Sequence, residues 1–214
     1  ESVLREHSAV RDVVVTTHED GSGTKQLVAY IVPKRLSQPL WTALSVYLLP
    51  DGSPVAHLNK NETDYIYHEV FVLQAYLRHG VTISDGDCII DAGANIGMFT
   101  VFANRIARDL RVFCFEPNPT VFKCLEANAQ AWGSRTTCFP YGLSSEEKSA
   151  DMTFFEGFSL LSGFYADEGA EREVVKNYVL NQQTDEEERR RLTPDIDRLL
   201  ADRFQKRTVT ARLR

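Results

Sequence analysis

Two acids carry the chemistry that this chain suggests. Asp91 stands in C-I-I-D-A-G-A-N-I-G, from Cys88 to Gly97, and Glu116 stands in F-E-P-N-P, from Phe115 to Pro119. In a dinucleotide-binding turn the backbone N–H groups of G-x-G-x-x-G close on a pyrophosphate. Here the turn is Gly93, Ala94, Asn95, Ile96 and Gly97, with a carboxylate just ahead of it. That carboxylate would repel a pyrophosphate by roughly 4 kcal/mol, for unit charges about 4 Å apart at an effective dielectric near 20. Beside a cation the same force attracts. S-adenosylmethionine carries an ammonium and a sulfonium and no phosphate, so D-x-G-x-x-x-G suits it, with Glu116 placed to hold its ribose hydroxyls. A plainer reading lets Gly93 and Gly97 only pack a helix on a strand, but it leaves the acid, the asparagine and E-P-N-P as coincidences. On this placement Glu116→Gln should weaken cofactor binding and leave folding nearly unchanged.

The elements that must position these acids follow from hydropathy. Cys88, Ile89 and Ile90 form a short apolar run that stops at an acid and glycines, as a strand does at a tight turn. Phe99, Phe102, Ala103 and Ile106 then recur at helical spacing, which predicts one apolar face laid on a sheet. Val112 to Phe115 is a second strand that delivers Glu116 to its carboxyl end. Asn118 and Pro119 are an N-cap and first-turn pair for a helix ending at Trp132 before Gly133, with Val121, Phe122, Leu125 and Ala129 inward. Thr136 to Tyr141 is a third strand, and Gly142, Leu143 and Ser144 follow its end, where a doubly wound sheet binds ligands. These three residues either close on the adenine or form a plain connecting turn.

Upstream, Val46 to Leu49 and Val55 to Leu58 flank Asp51-Gly52 as a β-hairpin. A helix is predicted from Thr63 to His79, with Ile66, Val70, Leu73 and Leu77 on one face and Gly80 as its stop. Its His68 and Glu69 are candidate bases, with a base supplied from beyond Arg214 as the alternative, and its tyrosines read either as helix surface or as a wall over the cofactor. Downstream, Phe155 to Gly163 is an aromatic loop of the sort that covers a pocket or a core edge. Asp185 with Arg189, Glu186 with Arg190, and Glu187 with Arg191 are spaced as ion pairs on a solvated helix.

A chain of 214 residues at 43% hydrophobic composition can bury one substantial core. The net charge of −6 and the lack of a Lys/Arg-rich run argue against a nucleic-acid partner. No apolar stretch is long enough to span a bilayer. Cys88, Cys114, Cys124 and Cys138 lack C-x-x-C spacing and read as reduced core thiols of a cytoplasmic protein, and no metal site is expected.

Two resemblances sharpen this reading. L-R-E-H-S-A-V-R-D-V-V-V, E-D-G and L-V-A-Y-I-V-P, within Glu1 to Pro33, resemble the start of the small C-terminal subdomain of nonribosomal peptide synthetase adenylation domains. The lysine that family uses for adenylation does not follow. From about Trp41, L-L-P-D-G, Y-H-E-V-F, I-I-D-A-G-A-N-I-G-M-F-T, F-E-P-N-P-T-V-F and Y-G-L-S resemble the FkbM family of S-adenosylmethionine-dependent methyltransferases. The second resemblance implies that Asp91 to Gly97 line the methionine end, Glu116 holds the ribose, and Pro117 and Asn118 border the adenine.

The expected fold is therefore α/β: a Rossmann-like class I methyltransferase sheet over residues 35–214, incomplete in this chain, preceded by a small α+β fragment of an adenylation subdomain over residues 1–34. The family's next motif, a strand near D-L-L-K-I-D-V-E, is absent, so the chain reads as a piece of a longer polypeptide that cannot turn over alone. The expected function is methylation of a substrate tethered to a carrier protein within a multidomain synthetase. An oxygen acceptor is favoured. N-methylation of an aminoacyl thioester and a module that has lost chemistry are the alternatives.

Overall fold

The computed structural model describes residues 1–7, 10–19, 23, 25–33, 43–133, 135–182, 186–192 and 194–214. They fall into two compact units, Glu1–Ala43 and Leu44–Arg214. The linker expected over Lys34 to Pro39 and the pair of Asp185 with Arg189 lie outside the described residues.

The first unit is a short helix α1 (Ser2–Arg5) and a hairpin of β1 (Val10–Glu19) with β2 (Lys25–Pro33). The two strands pair antiparallel, from Val10 opposite Pro33 to Glu19 opposite Lys25. Their β-branched residues suit a pleated surface, and Val10 and Val13 are buried. Glu1 Oε1 accepts from the Val15 N–H at 2.8 Å, which fastens the helix to the hairpin.

The second unit opens with an antiparallel hairpin of β3 (Ser45–Leu48) and β4 (Pro54–His57). Gly52 supplies the positive φ of its turn, +82°. Helix α2 (Lys60–Tyr67) starts from the Asn59 cap, whose side chain accepts from the Glu62 N–H. The single long helix expected to His79 does not form. From His68 to Val72 the chain loosens into a π-helix, Gln74 turns left-handed at φ +46°, and Ala75–Gly80 is a separate 3₁₀ segment. Ile66 and Val70 are buried as expected, but Leu73 is exposed, so the apolar stripe ends where the helix does.

The centre of this unit is a parallel sheet in the order β5 (Cys88–Ala92), β6 (Arg111–Phe115), β7 (Thr136–Phe139), the Rossmann-like arrangement that the resemblance implies. Strand β7 stops at Phe139, two residues short of the expected Tyr141. Helices α3 (Met98–Ile106) and α4 (Pro119–Trp132) make the crossovers. The face of α3 differs from the expected one. Met98, Val101, Phe102 and Ala103 are buried, Ile106 is exposed, and Phe99 packs on Tyr76 with ring centroids 5.0 Å apart. Phe99 meets the refolded segment after Gln74 instead of the sheet. Helix α4 buries Val121, Leu125 and Ala129 as expected, and Cys124, Ala127 and Asn128 with them.

A strand that periodicity left unassigned, β8 (Lys148–Phe155), pairs antiparallel with β9 (Lys206–Leu213). Between them run a 3₁₀ turn (Ser159–Leu161) and helices α5 (Glu168–Gln182), α6 (Glu186–Leu192) and α7 (Ile196–Ala201). Phe155, Val175, Leu180, Ile196, Leu200 and Phe204 form their core, with Phe158 and Leu161 packed against it. The aromatic loop after β8 thus packs on this core edge and also lines a cavity beside it. On α6, Arg190 pairs with Glu186 at 3.5 Å and Arg191 with Glu187 at 2.7 Å, both on the surface. No helix of the described residues is long and apolar enough to cross a membrane.

Candidate functional site

Strand β5 ends in a turn with three left-handed residues, Gly93 at φ +80°, Asn95 at +49° and Gly97 at +83°. Asparagine tolerates that region better than most residues because its short side chain bonds locally, and Asn95 Oδ1 accepts from the Ile96 N–H at 2.8 Å. Coiling the backbone in this way points successive N–H groups back at β6. Gly93 and Ala94 both donate to the Phe115 carbonyl, at 2.9 and 3.0 Å.

Glu116 continues the same clamp. Its Oε2 accepts from the Asn95 N–H at 3.1 Å and its Oε1 from the Asn118 N–H at 2.8 Å. One carboxylate therefore holds the turn after β5 against the turn after β6. Each oxygen keeps a second lone pair for a ligand hydroxyl. Glu116 is buried, and burial raises its pKa to about 7 although both backbone donors favour the charged form. Asp91 is held at about 6 by burial, opposed by the Thr100 hydroxyl that donates to it at 3.5 Å.

The two glycines serve different ends. A Cβ on Gly97 would stand 2.8 Å from Leu125 Cδ1 of α4, so this glycine gives close helix packing as well as the backbone angle. At Gly93 no heavy atom lies within 4 Å of such a Cβ. Packing accounts for Gly97; Gly93 borders open space.

Of the residues assigned to the adenine end, Asn118 is spent locally. Its Oδ1 caps α4 by accepting from the Thr120 and Val121 N–H groups, at 2.9 and 3.4 Å. Its Nδ2 is buried and has no partner among the described residues. Gly142 lies beside Pro117, and its Cβ position is 3.6 Å from Pro117 Cβ. The Gly142 N–H donates to the Arg212 carbonyl of β9 and the Ser144 N–H to the carbonyl of Arg214 just after it, on either side of Leu143. Their backbone donors are engaged before any ligand arrives.

His68 and Glu69 sit at the start of the π-helix, His68 exposed and Glu69 half-buried. Burial raises the pKa of Tyr65, and the charge of Glu69 adds to that shift, which sets this carboxylate near the phenol. Tyr65 in turn meets Tyr178 of α5 edge-to-face at 5.4 Å. Of the two candidates, Glu69 is half-buried and His68 is exposed.

Asn128 was not singled out by the motifs. It is fully buried on α4. Its Oδ1 accepts from the Ala56 N–H at 2.7 Å, and its Nδ2 donates to the Ala56 carbonyl at 2.9 Å and the Ile96 carbonyl at 2.7 Å. It ties strand β4 to the turn after β5. The available signal was a lone amide inside the apolar stripe of a helix, where an unpaired polar group would be costly. Ser159 was also missed; its hydroxyl accepts from Asn95 Nδ2 at 3.2 Å.

The residues present fit S-adenosylmethionine. The ends of β5 and β6 offer two acids and no base, with open space at Gly93 and one buried amide donor without a partner among the described residues.

No model of a known protein family matches the chain. Over its whole length it is 34% identical to part of AMB antimetabolite synthetase AmbE from Pseudomonas aeruginosa, of which it spans 10%. Over 62% of its length it is 40% identical to 31-O-demethyl-FK506 methyltransferase FkbM from Streptomyces tacrolimicus, of which it spans 51%. Methyltransferase 1 of Beauveria bassiana is 30% identical over 55% of the chain and 45% of that protein. The chain thus spans a tenth of the synthetase and about half, or slightly less, of the two methyltransferases. The chain is thus similar to the FkbM methyltransferase over 62% of its length and to the antimetabolite synthetase over all of it.

Proposed function

We propose that the polypeptide carrying this chain binds S-adenosylmethionine and methylates a substrate tethered to a carrier protein within a multidomain synthetase. The observation that carries this reading is the Glu116 clamp beside an acid-first turn with no base in it. In this reading Asp91, Gly93, Ala94, Asn95, Ile96 and Gly97 line the methionine end, and Glu116 takes the ribose hydroxyls. Pro117, Asn118, Gly142, Leu143 and Ser144 border the adenine. The cofactor supplies an activated methyl group and a good leaving group, so the protein's share is positioning and removal of the nucleophile's proton. The candidate bases are Glu69, which is half-buried, and His68, which is exposed. An oxygen acceptor is favoured, as the name of the Streptomyces relative gives an O-methyl site for that protein.

Residues 1–34 belong to an adenylation subdomain and 35–214 to the methyltransferase, and the protein works in the cytoplasm. The free side of β5 supports a further strand there. Among the described residues β5 pairs only with β6, and Ile90 is 67% exposed. A parallel strand is normally covered on both faces, and an open edge is a ready template for a further strand.

Titration calorimetry on the full polypeptide is expected to show binding of S-adenosylhomocysteine and none of NAD; the reverse would defeat the proposal. Incubating a loaded carrier with a deuterated methyl donor and fragmenting the product then places the label on oxygen or nitrogen.

A pH dependence follows from the two raised acids. Their native values lie above the ordinary 3.8 and 4.5, so the folded state holds its protons to higher pH than the unfolded chain. The resulting stability is present below about pH 4 and is lost as pH rises towards 6–7. A cationic ligand needs the ionised form. S-adenosylmethionine should therefore bind about tenfold more weakly at pH 5 than at pH 7.5, with proton release seen as buffer-dependent heat. A flat affinity would show that Asp91 does not face the cation.

A further inference from the structure

A cavity of about 530 Å³ opens between α2, the Ser159–Leu161 turn, α5 and α7. That volume lies in the range of small-molecule sites, roughly 300–1,000 Å³. Leu160, Leu161, Val175, Val179, Phe158 and Tyr178 give it an apolar wall. Three polar residues also line it, Asn61, Glu62 and Arg203.

The carboxylate among them is internally matched. Glu62 Oε1 accepts from the Leu160 N–H at 2.9 Å and Oε2 from Asn59 Nδ2 at 2.7 Å, and burial pushes its pKa up. Arg203 is the cation of the lining, it is exposed, and among the described residues no carboxylate stands within ion-pair distance of it. Among the described residues the lining thus presents Arg203 as its cation, while both oxygens of Glu62 already accept hydrogen bonds.

The cavity is also tied to the donor turn. Its wall includes Leu160 and Leu161, and the residue before them, Ser159, accepts from Asn95 Nδ2. One three-residue turn is thus fastened on one side to Asn95 and on the other to Glu62 of α2. Tyr65 of α2, which meets Tyr178 of α5 edge-to-face, lies in the same lining.

We propose that this cavity holds the methyl acceptor, and that the acceptor is an apolar organic anion whose hydrocarbon body fills the cavity and whose charged end meets Arg203. The proposal rests on the methyltransferase reading above and names its substrate class. The turn at Ser159 then sets the acceptor's position relative to the cofactor turn.

Calorimetry on the full polypeptide tests it, with decanoate as the probe for the cavity and S-adenosylhomocysteine as the probe for the cofactor turn. Leu160→Trp and Val174→Trp fill the cavity from residues that are 41% and 56% exposed, so the core beneath is spared. Each should weaken decanoate at least about tenfold, and Arg203→Gln about two- to fivefold, the range of an exposed charge contact. In the same variants S-adenosylhomocysteine should hold its affinity within about twofold. Should Leu160→Trp fail to fold, Val174→Trp decides. Decanoate binding that survives both tryptophans overturns the proposal, as does its absence from a wild-type protein that binds S-adenosylhomocysteine. If decanoate behaves as expected and S-adenosylhomocysteine does not bind, the cavity stands as an anion site and the methyltransferase reading falls.

Discussion

Replacing Asn128 with leucine is expected to lower the unfolding free energy by about 3–5 kcal/mol. The residue makes three hydrogen bonds in a fully buried position, to the Ala56 N–H, the Ala56 carbonyl and the Ile96 carbonyl. Leucine has similar volume and leaves all three partners dry and unpaired, at about 1–3 kcal/mol each, offset in part by its own burial. The loss should appear in denaturant unfolding as a lower midpoint with an unchanged slope. Cofactor affinity should fall with it, because Ile96 lies in the turn that Asn128 anchors. A change below about 1 kcal/mol would mean that the network is not what holds β4 to the turn.

Glu116→Gln is the second large effect, and the tertiary structure alters what it should do. From the motif alone the exchange was expected to spare folding. The carboxylate, however, accepts one backbone N–H on each oxygen, from Asn95 and Asn118. Glutamine has a single acceptor oxygen, so its amide nitrogen must face one of those donors. Stability should drop by about 1–3 kcal/mol, the cost of a buried donor left unpaired. Cofactor affinity should drop by one to two decades, roughly, since a hydrogen bond to a charged group contributes about 1.5–3 kcal/mol. Parallel unfolding and binding titrations separate the two roles. If stability falls while affinity is unchanged, Glu116 is a clamp only and the ribose lies elsewhere.

Neighbouring residues show where local information ran short. Helix α4 was legible to its ends because Asn118, Pro119 and Gly133 act on their own chain neighbours. The predicted helix from Thr63 to His79 was not. Its stripe of Ile66, Val70, Leu73 and Leu77 continues through Gln74, yet Gln74 is left-handed and the stripe is abandoned there. Tyr67 stacks on Phe71 at 4.8 Å, and Phe71 meets Phe102 of α3 at 5.3 Å. Contacts made across the fold outweigh a continuous helix that propensity favours only weakly.

By itself the sequence determined the strand, turn and helix around Asp91, the acid at the carboxyl end of β6 and the caps of α4. These depend on residue types at fixed short spacings, where backbone angles and like-charge repulsion act within a few residues. Tertiary structure alone decided that Glu116 bridges two turns, that Asn128 reaches both Ala56 and Ile96, and that Arg212 and Arg214 occupy the backbone N–H groups of Gly142 and Ser144. It also joined Ser159 to Asn95 and enclosed a cavity between α2 and α5. Each of these contacts joins residues far apart in the chain, and a buried polar group reveals its partner only once the fold has excluded water from around it.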